Sequence, residues 1–321
     1  MRVGLFVTCL VDALYLEVGR ATVTLLKRLG CTVEFPPTQT CCGQVHVDNG
    51  YPAQALPLVR RHGNAFEDYE FVVAPSRSCV ASARHQHAMV ARRAGHEALA
   101  ARAAELGART FELSQFLVDV LGVVDIAASY PHHGSYHPTC HSLRLLRVGD
   151  RPVQLLRAVA GPPLTELAEP ESCCGFGGTF AVRNPNISAA MKAGKVEDVA
   201  RTGATVPSVG DSSCLMHLRG GLIRRADTTK AVHLAEILAS TGAAAGAPFW
   251  AYRRWPRPGS ECCTGSSRVL TRPAMRLPIP SCAPISGTPP PRFGQSGSLS
   301  YRSYPIGSSC GRTAKRSRRP P

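Results

Sequence analysis

Short β-rich apolar runs alternate along this chain with longer stretches whose apolar residues recur at helical spacing. Val3 to Thr8 is such a run and ends at Cys9. Helical periodicity follows, with Leu14, Val18, Leu25 and Leu29 on one stripe and Gly30 as the C-terminal cap. Phe71 to Ala74 is a second run, closed by Pro75-Ser76 ahead of Cys79. The pattern returns further on, where Gly134 to Thr139 leads into Cys140 and Thr205 to Val209 precedes Cys214. Leu143, Leu146, Val153 and Leu156 predict a helix after Cys140, interrupted near Gly149 and Pro152. Phe116 to Leu121 closes the first half and Val232 to Leu238 the second. Strands alternating with helices predict an α/β fold with mostly parallel sheets.

The periodicity stops after about Ser240. Residues 247–321 hold half of the prolines, 13 of 26, with clusters such as Pro289-Pro290-Pro291 and Lys315-Arg316-Ser317-Arg318-Arg319. They lack the apolar content to build a core and are expected to be disordered. The sequence is therefore divided into a first repeat at 1–125, a second at 126–242 and a basic tail at 243–321. The change of composition is abrupt enough to raise out-of-frame translation of a GC-rich gene as its origin, beside an ordinary disordered tail.

Charge changes the picture less than its total suggests. The net +15 would suit a nucleic-acid partner, but twelve arginines, one lysine and one glutamate place +12 of it in residues 247–321. Nucleic acid is disfavoured as a partner of the folded part. No run of eighteen apolar residues occurs, so no transmembrane segment is expected. The apolar N-terminus contains Asp12 and Glu17 and lacks a small-residue cleavage site, which argues for a cytoplasmic protein.

The candidate chemistry lies in the 13 cysteines, a number that in a reducing compartment points to metal ligation or redox work. Two series share one spacing: C-x31-CCG-x35-C at Cys9, Cys41, Cys42 and Cys79, and C-x32-CCG-x38-C at Cys140, Cys173, Cys174 and Cys214. Equivalent cysteines are offset by 131, 132, 132 and 135 residues, the mark of a tandem duplication. Cys9, Cys79, Cys140 and Cys214 each follow a predicted strand, and ligands of parallel sheets collect beyond the carboxyl ends of their strands. One four-iron cluster takes about four thiolates, so each repeat suffices for a [4Fe–4S] cluster. The glycine after each doublet permits a tight turn whose N–H groups can donate to sulfur. Zinc in at least one half is the rival cofactor, since it suits four cysteines or three with a histidine.

The spacings resemble the duplicated cysteine-rich CCG domain of heterodisulfide reductase and of the iron–sulfur subunits of glycolate oxidase and glycerol-3-phosphate dehydrogenase. The contexts VGLFVTCLVD, TCCGQ, APSRSC, CCGFGGTFAVRNPNIS and DSSCLMH are most similar to the lactate utilization protein A family, over about residues 1–240. That resemblance implies a redox subunit, independent of NAD, that relays electrons in the oxidation of L-lactate to pyruvate. It also implies two companion proteins, one of them ferredoxin-like.

The chain departs from the heterodisulfide reductase pattern, in which each motif ends in C-x-x-C. Here Ser82 and His217 stand at the last position, so a five-cysteine cluster is in doubt and His217 becomes an optional ligand. Cys79-x-x-Ser82 leaves open a thiol–disulfide oxidoreductase, and a zinc-stabilised binding module is the third reading. Cys31 is expected in the core, and Cys262, Cys263, Cys282 and Cys310 receive no role. His132, His133, His137 and His141 are read as loop histidines near the cluster, and Arg183 with them as an unsingled carboxylate contact. Gly175 to Phe180 follows a cysteine doublet, not a strand, and lacks the third glycine of a dinucleotide loop.

Overall fold

Two four-stranded parallel sheets with the same strand order carry the fold of the computed structural model, which describes residues 1–225 and 228–241. The tail expected to be disordered lies outside the described residues. The first sheet contains β1 (Arg2–Leu5), β2 (Thr32–Glu34), β3 (Phe71–Ala74) and β4 (Thr110–Glu112), in the order β2-β1-β3-β4. The second contains β5 (Gly134–His137), β6 (Leu164–Thr165), β7 (Val206–Val209) and β8 (Val232–His233), in the order β6-β5-β7-β8. The expected α/β architecture of two parallel repeats is thus present.

The order explains where a ligand can go. From β1 the chain crosses to β2 on one side, whereas β3 lies on the other side of β1 and leads outward to β4. Such a reversal opens a crevice between the carboxyl ends of the two central strands. The central pair is in register at Val3 with Phe71, Gly4 with Val72 and Leu5 with Val73. Gly4 is required there, because a Cβ would lie 2.7 Å from the Tyr69 ring. In the second sheet β5 and β7 repeat the arrangement, with Gly134 opposite Val206 and His137 opposite Val209.

The predicted stripe after Cys9 needs one correction. The segment is two helices, Cys9–Leu14 and Leu16–Arg28, broken at Tyr15 with φ −133° and ψ 50°. The break rotates the helical phase, so Leu14 is 57% exposed while Val18, Leu25 and Leu26 are fully buried. Gly30 follows with φ 82°, the left-handed conformation expected of a helix stop. After Cys140 the interruption is as expected: a π-helical turn His141–Leu146 ends before helix Arg151–Ala158, which tolerates Pro152 in its first turn.

One apolar core spans both repeats. Val3, Leu5 and Val73 of the first sheet belong to the same buried cluster as Val206 and Val209 of the second. Helix Leu234–Ala239, near the end of the described chain, closes against helix Leu16–Arg28, and Arg28 Nη2 donates to the Leu238 carbonyl at 2.7 Å. Cys31 is buried in that core, as expected. Among the described residues no helix is long and apolar enough to cross a membrane.

Candidate metal centre

Each central strand delivers one cysteine into the first turn of the structure that follows it. Cys9 opens helix Cys9–Leu14 after β1, and Cys79 lies in helix Arg77–Ala81 after β3. Cys140 precedes the π-helical turn after β5, and Cys214 lies in helix Ser212–Arg224 after β7. Thr8, immediately before Cys9, is buried and held at φ 72°, a strained value for a β-branched residue.

The doublets arrive on turns. Gly43 and Gly175 adopt φ 81° and 84°, which swings their N–H groups onto the sulfurs of Cys41 and Cys173 at 3.4 and 3.3 Å. The sulfurs then meet those from the strand ends. Cys9 and Cys41 lie 3.8 Å apart, Cys140 and Cys173 also 3.8 Å, and Cys174 and Cys214 3.2 Å.

All eight motif cysteines line one cleft of about 330 Å³. The spacings alone predict two sets of four; the three-dimensional arrangement brings both sets to the same opening. Contacts across the cleft tie its walls together. Gln44 Nε2 lies 2.7 Å from His141 Nε2, Thr179 donates to Asn49 Oδ1, and Ser78 N–H donates to Asp211.

Hydrogen bonds among the thiols set their proton affinities. In the first set, donation from Cys42, then from Cys9 and the Gly43 N–H, brings Cys41 down to about 2. Cys9 and Cys42 move upward, each first through its hydrogen bond to Cys41. Cys173 is likewise brought down to about 2, first by Cys140 and then by Cys174, while those two partners are pushed up. These hydrogen bonds favour the thiolate at Cys41 and at Cys173 and disfavour it at their partners, and a metal that binds there displaces protons from its ligands. Behind Cys42, His87 is kept at about 4 by burial, and its Nε2–H donates to the Cys42 carbonyl at 2.8 Å.

The histidines near Cys140 do not share one environment. His132 stacks edge-on against Tyr130, and His133 hydrogen-bonds Thr165 at 2.7 Å. His137 corrects the loop reading: it is the last residue of β5 and only 1% exposed. Burial first, then the nearby Lys195, lowers its pKa to about 3, so the imidazole is neutral. Neither ring nitrogen has a hydrogen-bond partner, and its donor atom lies within 4.8 Å of those of Cys174 and Cys214. His217 is half-buried elsewhere, 3.3 Å from Ser188 Oγ and edge-on to Phe176. Ser82 donates to Gln86 at 2.8 Å, and Arg183 is exposed and outside the cleft lining.

The donor chemistry fits a soft metal or an iron–sulfur cluster. Cysteine sulfurs converge in each half, backbone N–H groups point at them, and a buried imidazole lacks any other partner. The residues that would hold such a group are Cys9, Cys41, Cys42 and Cys79 in the first half, and Cys140, Cys173, Cys174 and Cys214 in the second.

Two matching repeats whose cysteines meet at one cleft define a duplicated cysteine-rich protein, and the CCG cysteine-rich domain model matches residues 3–83 and 135–219. The lactate utilization protein A of Bacillus subtilis is 44% identical over 240 residues, covering 75% of this chain and 100% of that protein. Those of Geobacillus kaustophilus and Oceanobacillus iheyensis are 43% and 41% identical over 238 residues, covering 74% of this chain and 98% and 96% of theirs. The chain belongs to the lactate utilization protein A family.

Proposed function

We propose that the protein is a cytoplasmic iron–sulfur subunit of a multi-protein system that oxidises L-lactate to pyruvate. The observation that carries this reading is the convergence of both cysteine sets on one cleft, in a chain whose relatives are named for lactate utilization. Oxidation of L-lactate to pyruvate releases two electrons and two protons, which need an acceptor outside the substrate. Cysteine-bound clusters, when present, supply one-electron acceptance and donation.

The chain's own residues prepare the site. The turns at Gly43 and Gly175 aim N–H groups at sulfur and stabilise negative charge there. The buried walls exclude water behind Cys42, Cys79, Cys174 and Cys214, while exposed Cys9 and half-exposed Cys41, Cys140 and Cys173 face the opening. Such an opening suits electron exchange with companion proteins, of which the reading requires two, one ferredoxin-like. L-Lactate enters at the level of the assembled system.

The test is anaerobic full-length protein mixed with its two companions and L-lactate. Lactate-dependent bleaching of its visible absorption supports the relay. Turnover of a disulfide by the isolated chain, without a response to lactate, moves the protein to the thiol–disulfide reading.

A further inference from the structure

The two halves differ at one buried position. His137 stands three residues before Cys140, where the first repeat has Phe6 three residues before Cys9. Phe6 is fully buried and packs edge-on against His62 and Phe66, with ring centroids 4.8 and 5.6 Å away. His137 occupies the matching place at the carboxyl end of β5, equally inaccessible, with two ring nitrogens and no partner for either. A buried imidazole in that state is unusual, because desolvated polar atoms normally find a partner. The groups within reach are the sulfurs of Cys174 and Cys214, with all three donor atoms inside 4.8 Å of one another.

We propose that His137 is a nitrogen ligand of the metal centre in the second repeat, beside Cys174 and Cys214. The proposal rests on the reading that this cleft binds metal. It makes the two centres chemically unequal: sulfur donors alone in the first repeat, sulfur and nitrogen in the second. Neutral imidazole is a strong donor to iron and zinc alike, and a histidine among thiolates raises the reduction potential of an iron–sulfur centre. The second centre is therefore the more easily reduced of the pair.

The test uses full-length protein purified anaerobically, with Cys41→Ser to remove the first centre and 14N- or 15N-labelled histidine. Metal content is measured first, and pulsed EPR is then recorded on the reduced, iron-loaded protein. A strongly coupled nitrogen that changes with the histidine isotope is expected. His137→Phe, which installs the residue of the first repeat, should lose that coupling and release metal to a chelator at least about tenfold more readily. Metal present without an isotope-sensitive nitrogen overturns the proposal and leaves the metal-binding reading intact. Absence of metal from the second centre overturns both. If His137→Phe fails to fold, His141→Ala and His217→Ala in the labelled protein still decide the question, because His141 lines the cleft and His217 lies beside Ser188. The coupling survives both if His137 is the ligand, and its loss with either overturns the proposal.

Discussion

The Ser78 backbone N–H donates to Asp211 Oδ2 at 2.8 Å, joining the cysteine-bearing helix of the first repeat to the residue that caps its counterpart in the second. Asp211 also accepts from Ser213 N–H at 3.1 Å and Ser213 Oγ at 2.6 Å. One buried carboxylate thus serves the first turns that hold Cys79 and Cys214. Burial opposes its charge, but hydrogen bonds from Ser213 and Ser78 outweigh that and hold it below the usual carboxylate range.

Asp211→Asn should therefore destabilise the protein although asparagine is itself a good cap. Its amide nitrogen must face a donor, either the Ser78 or the Ser213 N–H. The expected loss is about 1–3 kcal/mol by urea denaturation. A loss within about 0.5 kcal/mol, the range of an indifferent surface change, would show that the shared cap is unimportant.

The two doublet glycines should respond unequally to alanine. Both have positive φ, so both substitutions incur strain of about 1–2 kcal/mol. At Gly175 a Cβ would also lie 2.7 Å from the Ser188 carbonyl oxygen, whereas at Gly43 the nearest atom is Ala55 Cβ at 3.3 Å. Gly175→Ala is expected to cost about 1–3 kcal/mol more than Gly43→Ala in parallel denaturation experiments. Equal losses would contradict the packing argument.

Glu236 introduces a pH dependence remote from the cleft. Burial pushes its carboxyl up to about 7 against the pull of Arg219, while the reference value for the free group is 4.5. Between those pH values the folded protein holds a proton that the unfolded chain has released. Its contribution is complete below about 4.5 and falls as pH rises through about 7, by up to about 3 kcal/mol. Glu236→Gln should remove that slope, so the stability difference between wild type and variant should change across the window. A constant difference across it would refute the assignment.

The strand-to-cysteine junctions were legible because each combines a central, apolar strand with a cysteine immediately beyond it. Outer strands β2, β4, β6 and β8 were not, since segments of two or three residues carry too little alternation to register. The break at Tyr15 hid the exposure of Leu14, because local spacing does not report a shift of helical phase. His137 had a readable signal: a polar residue at the place of buried Phe6 in the aligned repeats. The meeting of both cysteine sets at one cleft depends on how the repeats pack, which no local pattern encodes.

Iron, acid-labile sulfide and zinc measured on anaerobically purified protein, with absorption spectra, test the central claim most directly. The account predicts iron and sulfide near about eight per chain, falling by about half with Cys41→Ser or Cys173→Ser and nearly to zero with both. Zinc with no visible absorption, even after anaerobic reconstitution with iron and sulfide, would contradict it and leave a metal-stabilised scaffold in place of an electron relay.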